Sequence, residues 1–363
     1  MDKHSQKDEF EKLKKVLDRK TKEFEIIKQI SSQINKTLDV NLIASAMLNA
    51  MDEFFGFKYS MILLVDEKMQ KLNVLATHGY EIKGIGASVK LGVGVIGIVA
   101  KKKKMMRMAN LGMQRSYMKA IKSQITAEEK NKLGNEVELP GLKNAESQVA
   151  IPMLFNNELI GVLSVESEKV NIFNNSDELL IGILANQTAN ALQNAKLYQL
   201  EQKRKLELNR LFNDLKINNS SLSHEVEQKI WKLWSTHPND KNLTEMLDEG
   251  SDLVNNQKLN EAIIVFSKVI ELDPNWAEAW NKRATVLYLI GEYQKSQNDI
   301  DKVLELEKRH FGALAGQGLV NIQLKNYEKA IMSYQKAKKI YPTMKSPDLM
   351  IKQLEKLIKK QSI

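Results

Sequence analysis

With 363 residues, 43 % of them hydrophobic and 27 % charged, the chain can bury two ordinary cores and has the make-up of globular protein. It has no cysteine, which excludes disulfides, thiolate metal sites, cysteine nucleophiles and thioether-linked chromophores. No apolar run approaches the roughly eighteen residues of a membrane span, and the polar N-terminus carries no secretory signal, so a cytoplasmic location is expected. The formal net charge of +9 raises nucleic-acid binding, but only seven of 54 basic residues are arginine and the lysines run the whole length of the chain, so that reading is disfavoured.

Residues 1–38 read as an N-terminal helix with a heptad-like seam of Phe10, Leu13, Leu17, Phe24, Ile27, Ile34 and Leu38. Lys20 and Ser31 are its weak positions, and Glu and Lys fill the rest. Such a narrow stripe suits a dimeric coiled coil, the alternative being one amphipathic helix lying on the next domain.

Residues 39–200 change character. "LIASAMLNAMDEFF" reads as a helix, and "YSMILLVD" and "KLNVLATH" as strands separated by a turn. Glycines at 92, 94 and 97 open a short helix, and "SYMKAIKSQITAEEKNKL" reads as a longer one. "SQVAIPMLF" and "LIGVLSVES" form a second strand pair around an Asn-rich hairpin turn. A last helix starts at Asn175 or Ser176, with Asp177 and Glu178 suited to the positive end of its dipole. The pattern is α+β around one antiparallel sheet.

The stretches "LGVGVIGIVAKKKKMMRMAN", "SQVAIPMLFNNELIGVLSVES" and "FNNSDELLIGILANQTANALQNAKLY" resemble three signature blocks of the GAF domain, a family of small-molecule-sensing and dimerising modules. The resemblance implies an antiparallel sheet of about six strands, a ligand pocket on one face, and terminal helices that pair on the other. Cyclic-nucleotide members carry an Asn-Lys-x-x-x-Phe-Asp-Glu signature. Residues 171–178 lack its lysine and its Phe-Asp-Glu order, so that ligand is unsupported, and without cysteine the bilin-linked and methionine-sulfoxide-reductase versions are excluded.

Residues 201–242 read as a connecting helix followed by a degenerate helical hairpin. Within it, Ser223-His224-Glu225 looks like the phosphoacceptor triplet of sensor histidine kinases. It lacks the Arg and Pro that usually follow, and Leu222, Val226, Ile230, Leu233 and Trp234 make one apolar face that excludes His224. The hairpin is expected to pack its tryptophans on the first repeat that follows.

Residues 243–345 repeat with a period of 34. Gly250, Ala284 and Gly318 share one frame position; Leu259, Tyr293 and Tyr327 a second; Ala262, Ser296 and Ala330 a third; Phe266, Ile300 and Tyr334 a fourth; Pro274, Lys308 and Pro342 a fifth. This resembles the tetratricopeptide pattern. Three units form an all-α array, capped by a helix in 346–363, in which small residues let paired helices approach and large ones fill the space between hairpins. By register Asn281, Thr285, Tyr288, Leu319, Ile322 and Gln323 face an inner groove for a protein or peptide partner. The Lys and Asn clamp of the chaperone-tail members is not reproduced.

The remaining motifs are local. Lys101 to Lys104 suit a helix C-terminus. Gly92-x-Gly94-x-x-Gly97 lacks the flanking acidic residue of a dinucleotide site. His78 reads as a strand-end residue, and Glu128-Glu129 point apart on one helix. No metal spacing, nucleophile elbow or phosphate loop occurs, and no cofactor is expected. The sequence therefore reads as a non-catalytic signalling or adaptor protein, homodimeric, with a possible small-molecule ligand in its first half and a protein partner in its second. A ligand-free structural scaffold is the alternative, ahead of phosphotransfer by His224 or nucleic-acid binding.

Overall fold

The computed structural model of the chain describes residues 3–66, 68–81, 84–112, 141–142, 144–217 and 220–361, so the helix expected over 116–133 and Glu128-Glu129 lie outside the described residues. The chain divides into two compact units, Met1–Gln199 and Leu200–Ile363.

The first unit begins with helices α1 (Lys3–Ile34) and α2 (Val40–Phe55). Asp39 caps α2, its carboxylate accepting from the Asn41 and Leu42 amides at 2.8 and 3.1 Å, and Gly56 ends it in the left-handed region at φ 70°. Strands β1 (Tyr59–Asp66), β2 (Lys71–His78) and β3 (Ser88–Lys90) follow, then helix α3 (Gly94–Lys102) and strands β4 (Met106–Ala109), β5 (Ser147–Phe155) and β6 (Glu158–Ser167). They form one antiparallel sheet in the order β3-β2-β1-β6-β5-β4. Asn156 and Asn157, at φ 47° and 68°, make the two-residue β5–β6 turn, since both positions need positive φ and asparagine tolerates it. Gly97 is needed because a Cβ there would lie 2.4 Å from the Lys90 carbonyl oxygen. That close approach, rather than a phosphate, accounts for its place in the glycine motif.

Side chains alternate across the sheet. Ile62, Val149, Ile151, Leu163 and Val165 face α1, α2 and the start of α4 (Asn175–Leu215), where Met47, Leu48, Met51, Ile181 and Leu184 complete one core. Met61, Leu63, Leu72, Val74, Ala150 and Val162 face the other way, towards Ile96 and Val99 of α3. Asn174, one residue before the expected cap, starts α4. Its Oδ1 accepts from the Ser176 and Asp177 amides at 2.7 and 3.2 Å, while Asp177 accepts from the Asn174 amide at 2.9 Å.

The α1 stripe divides into two parts. Ile30 and Ile34, one turn apart, are buried against the sheet domain, so Ile34 belongs to the core and not to a free seam. Phe10, Leu13, Leu17 and Phe24 stay exposed, each by more than 60 %. Heptad counting missed Ile30 because residues that pack on a neighbouring domain follow the turn of a straight helix, 3.6 residues, and not the 3.5 of a supercoil.

The second unit takes in the last part of α4, α5 (Ser220–Ser235), and three hairpins, α6/α7 (Lys241–Asn255, Leu259–Leu272), α8/α9 (Ala277–Leu289, Tyr293–Leu306) and α10/α11 (Phe311–Gln323, Tyr327–Ile340). Helix α12 (Lys345–Gln361) packs on α11. The repeat frame has a direct steric meaning. A Cβ on Gly250 would come within 2.4 Å of the Phe266 ring, and one on Gly318 within 2.5 Å of the Tyr334 ring. Ala262, Phe266, Ala330 and Tyr334 are all fully buried. At the middle frame Ile300 is smaller, and Ala284 fits. Ser296, buried there, donates to the Ala284 carbonyl at 2.7 Å. Tyr293 and Tyr327 pack at the edges of the hairpin cores, whereas Pro274 is exposed and Pro342 half-buried in the links.

Gly318→Ala is expected to lower array stability by about 1–2 kcal/mol, the helix-propensity gain of about 1 kcal/mol offsetting only part of the overpacking against Tyr334. Gly316→Ala, whose Cβ would meet only Ile300 at 3.8 Å, should instead stabilise by up to about 1 kcal/mol. Urea unfolding followed by tryptophan fluorescence tests the pair, because all four tryptophans (231, 234, 276 and 280) lie in the second unit. Equal effects of the two substitutions would refute the steric reading.

Candidate functional site

On the α3 side of the sheet, polar side chains interrupt the apolar face where β5 and β6 pair. Gln148 and Ser164 are buried. The Gln148 amide donates to Ser164 Oγ at 3.0 Å and to Glu166 Oε1 at 3.2 Å, while the Leu142 amide donates to Glu166 Oε2 at 3.0 Å. Burial, and then the charge of Glu166 facing it, raises the Tyr80 phenol far above the usual tyrosine range. Glu166 also lines a cleft of about 490 Å³ with Phe55, Phe57, Lys58, Tyr59 and Ile172. The cleft walls offer the carboxylates of Glu166, Glu168 and Asp177, the Tyr59 phenol, Lys58 and Lys169 and aromatic rings, which suits a small molecule with hydrogen-bond donors. Gln148, Ser164 and Glu166 lie within the stretch that resembles a GAF signature block, but the resemblance gave them no role; only the alternation of β5 and β6 places them on one face.

His78 pairs with Asp52 at 2.8 Å at the end of β2. Lys101 and Lys102 occupy the last turn of α3, and Lys103 caps it and donates to the Asn157 carbonyl at 2.8 Å. Among the described residues no group of three or more His, Asp or Glu could hold a metal ion, and no helix is long and apolar enough to cross a membrane.

In the second unit the six expected groove residues fall into two sets. Thr285, Leu319 and Gln323 are exposed. Asn281 is half-buried and donates to Glu278 Oε2 at 3.1 Å, and its carbonyl accepts from the Thr285 hydroxyl at 2.9 Å. Tyr288 sits 5.6 Å from the Tyr293 ring in the α8–α9 core, and Ile322 packs on the core around Ala330, Tyr334 and Leu354.

The starts of α8 and α10 are covered by the chain itself. The end of α4 and helix α5 pair through Leu211, Phe212, Leu215, Val226, Ile230 and Trp234, and this core also takes in Phe311 and Tyr341. Trp234 lies flat on His310 with ring centres 3.9 Å apart, and Trp231 stands edge-on to His310 and Phe311 at 5.5 and 5.4 Å. The Trp276 indole donates to the Trp234 carbonyl at 2.9 Å, and the Tyr341 hydroxyl donates to Glu227 at 3.1 Å. The tryptophans of α5 therefore meet the links that open the second and third repeats rather than stacking on the first hairpin. The reason is spacing: Trp276, His310 and Met344 are 34 residues apart, so the fold sets them at equivalent positions and one hairpin meets them all.

Beneath this contact His310 and Glu278 form a buried pair, Nε2 to Oε2 at 3.0 Å, both essentially inaccessible. His310 Nδ1 accepts from the Ala313 amide at 3.0 Å and so caps α10. His237 repeats the device, with Asp273 at 2.9 Å and the Asp240 amide at 2.8 Å. His224, by contrast, is largely exposed, 3.6 Å from Glu227 of its own helix. Leu222, in the first turn of α5, is also exposed and does not join the apolar face assigned to it.

The fold is an α+β domain with one antiparallel sheet, joined through a long helix to an all-α helical-repeat array. Comparison with known proteins places both parts: residues 37–193 match the GAF domain family and residues 312–344 the tetratricopeptide repeat family. The chain carries an N-terminal GAF domain followed by a C-terminal tetratricopeptide-repeat region. A TPR repeat-containing protein of Rhizobium etli is 35 % identical over 114 residues, covering 31 % of this chain and 56 % of that protein. Hsp70-Hsp90 organizing protein 3 of Arabidopsis thaliana is 28 % identical over 95 residues, covering 26 % of this chain and 17 % of that one. The chain thus spans about half the length of the first relative and under a fifth of the second. The GAF domain structure from Acinetobacter phosphoenolpyruvate-protein phosphotransferase is 20 % identical with a TM-score of 0.39, covering 48 % of this chain and 93 % of that one.

Proposed function

We propose that the protein is a non-catalytic adaptor in which the GAF domain self-associates and senses a small molecule, while the repeat array holds a protein or peptide partner. The observation that carries the array half is the open face on α8 and α10. Thr285, Leu319 and Gln323 are exposed beside half-buried Asn281, giving the mixed polar and apolar surface that a peptide or helix requires. The name of the plant relative points to protein partners.

For the sensor half, the cleft beside Glu166, with Tyr59 and Lys58 at its wall, supports a ligand that carries a hydrogen-bond donor. Self-association rests on Phe10, Leu13, Leu17 and Phe24, an exposed stripe of the kind that pairs helices. The hydrogen bonds that already join Gln148, Ser164 and Glu166 favour a second reading, a domain that needs no ligand and serves as a scaffold.

Native mass spectrometry of the intact chain tests both readings together. A dimer mass with a co-purified small molecule is expected, and Leu17→Glu with Phe24→Glu should give monomer, because buried like charges oppose pairing. A ligand-free dimer would select the scaffold, and an apo monomer would overturn both readings of this half. For the array, Leu319→Asp should abolish binding of a selected peptide ligand without changing the array's unfolding midpoint.

A further inference from the structure

The chain's positive charge is not evenly distributed. Residues 325–360 hold ten lysines against three carboxylates, a net of +7 within a chain total of +9. In the first two hairpins, lysines pair with a glutamate three or four residues away: Lys241 with Glu245, Lys258 with Glu261, Lys268 with Glu271, Lys295 with Glu292 and Lys302 with Glu305, at 2.8–3.5 Å. On α12 this neutralisation stops. Lys345, Lys352, Lys356, Lys359 and Lys360 are exposed and have no ion-pair partner among the described residues. Their spacing of seven, four and three or four puts them on one side of the helix, over roughly 20 Å at 1.5 Å per residue. The opposite side, Pro347, Met350, Ile351, Leu354 and Ile358, packs inward.

One exposed apolar residue sits inside this field: Leu349, 61 % exposed, lies among the α12 lysines. Only Asp348, which pairs with Lys338 of α11, and Glu355 stand near these five like charges, and neither forms an ion pair with them among the described residues, so their arrangement is explained by an anionic partner rather than by stability.

We infer that the outer face of α12 is a second docking surface, which takes an acidic helical segment of a protein partner with an apolar residue over Leu349. A nucleic-acid backbone is the poorer fit. It offers nothing apolar to Leu349, residues 325–360 contain no arginine, and their tyrosines are half-buried or buried rather than free to stack on bases. An anionic membrane fits less well still, because the apolar side of α12 is already used within the array. The surface is separate from the open face on α8 and α10, so the inference stands whether or not that face binds peptide.

The test is fluorescence anisotropy with the full chain and a labelled glutamate-rich helical peptide carrying leucine at every seventh position. Saturable binding is expected, weakened by salt. Lys352→Glu with Lys356→Glu should lower affinity about tenfold or more through both lost attraction and new repulsion. Leu349→Ala should lower it about threefold with the salt dependence intact, since only apolar contact is removed. Both sites are exposed, and a circular-dichroism melt verifies that the variants fold. Leu319→Asp should leave this binding unchanged, which separates it from the face on α8 and α10. Absence of binding, persistence of binding in the charge-reversed variant, or tighter binding of polyuridylate or phosphatidylserine vesicles at the same salt would overturn the assignment.

Discussion

Replacing His310 with alanine is expected to destabilise the repeat array by about 3–5 kcal/mol, because it leaves a buried carboxylate without its main partner. Glu278 is 1 % exposed and His310 0 %, and the two meet at 3.0 Å. Because His310 Nδ1 accepts from the Ala313 amide, its Nε2 carries the proton and donates to Glu278, a tautomer fixed by the hydrogen bonds. After truncation Glu278 retains Asn281 at 3.1 Å and Lys282 at 3.8 Å, which do not replace a short bond inside the protein. The α10 cap is lost in the same step, at about 1 kcal/mol. Glu278→Gln keeps an oxygen acceptor for His310 and removes the charge, so its cost should be clearly smaller. Urea unfolding followed by tryptophan fluorescence measures both. A loss below about 1 kcal/mol for His310→Ala would show that the pair is not a keystone of the array.

Trp234→Ala should cost a similar amount, about 3–5 kcal/mol, as expected for truncating a buried aromatic. Its ring covers His310, and also contacts Phe212 at 6.0 Å and Phe311 at 5.1 Å, so one side chain joins α4, α5 and the opening of α10. The indole nitrogen has no hydrogen-bond partner among the described residues, which makes the ring area the source of the effect. Trp234→Phe should therefore cost much less, under about 1.5 kcal/mol. Since the two rings stack on each other, the double variant Trp234→Ala with His310→Ala should lose less than the sum of the single losses, by about 0.5–3 kcal/mol. Strict additivity would mean that the hairpin and the array are energetically independent despite their contact.

Why this contact escaped sequence reasoning is instructive. The heptad and repeat arguments both use short periods along one chain segment, and both found real features. The 34-residue frame identified Gly250, Ala284 and Gly318 as sites of close helix approach, and the Cβ positions at Gly250 and Gly318 supply the cause. The same frame contains Trp276, His310 and Met344, but a period does not say what lies against the residues it aligns. Glu278 and His310 are 32 residues apart and belong to no motif. Only packing of successive hairpins brings them together.

The same limit explains α1. Periodicity marked an apolar stripe, but Ile30 and Ile34 turn inward while Phe10, Leu13, Leu17 and Phe24 remain outside. A stripe records which side of a helix is apolar and not which surface covers it. The charge argument has a related limit. The lysines of the whole chain look dispersed, yet the first hairpins neutralise theirs by local pairs and α12 does not.

What the amino-acid sequence determined by itself is the kind of architecture: an antiparallel sheet domain with flanking helices, then helical repeats of 34 residues. Those features follow from local periodicity, turn chemistry and side-chain size, all of which act over a few residues at a time. The tertiary structure decided which surfaces are occupied and which are free. It set α5 on the repeat links, buried Glu278 with His310, joined Gln148, Ser164 and Glu166 on one sheet face, and left five lysines of α12 without an ion pair among the described residues. Such pairings depend on distance in space between residues far apart in the chain, and local pattern carries no measure of it.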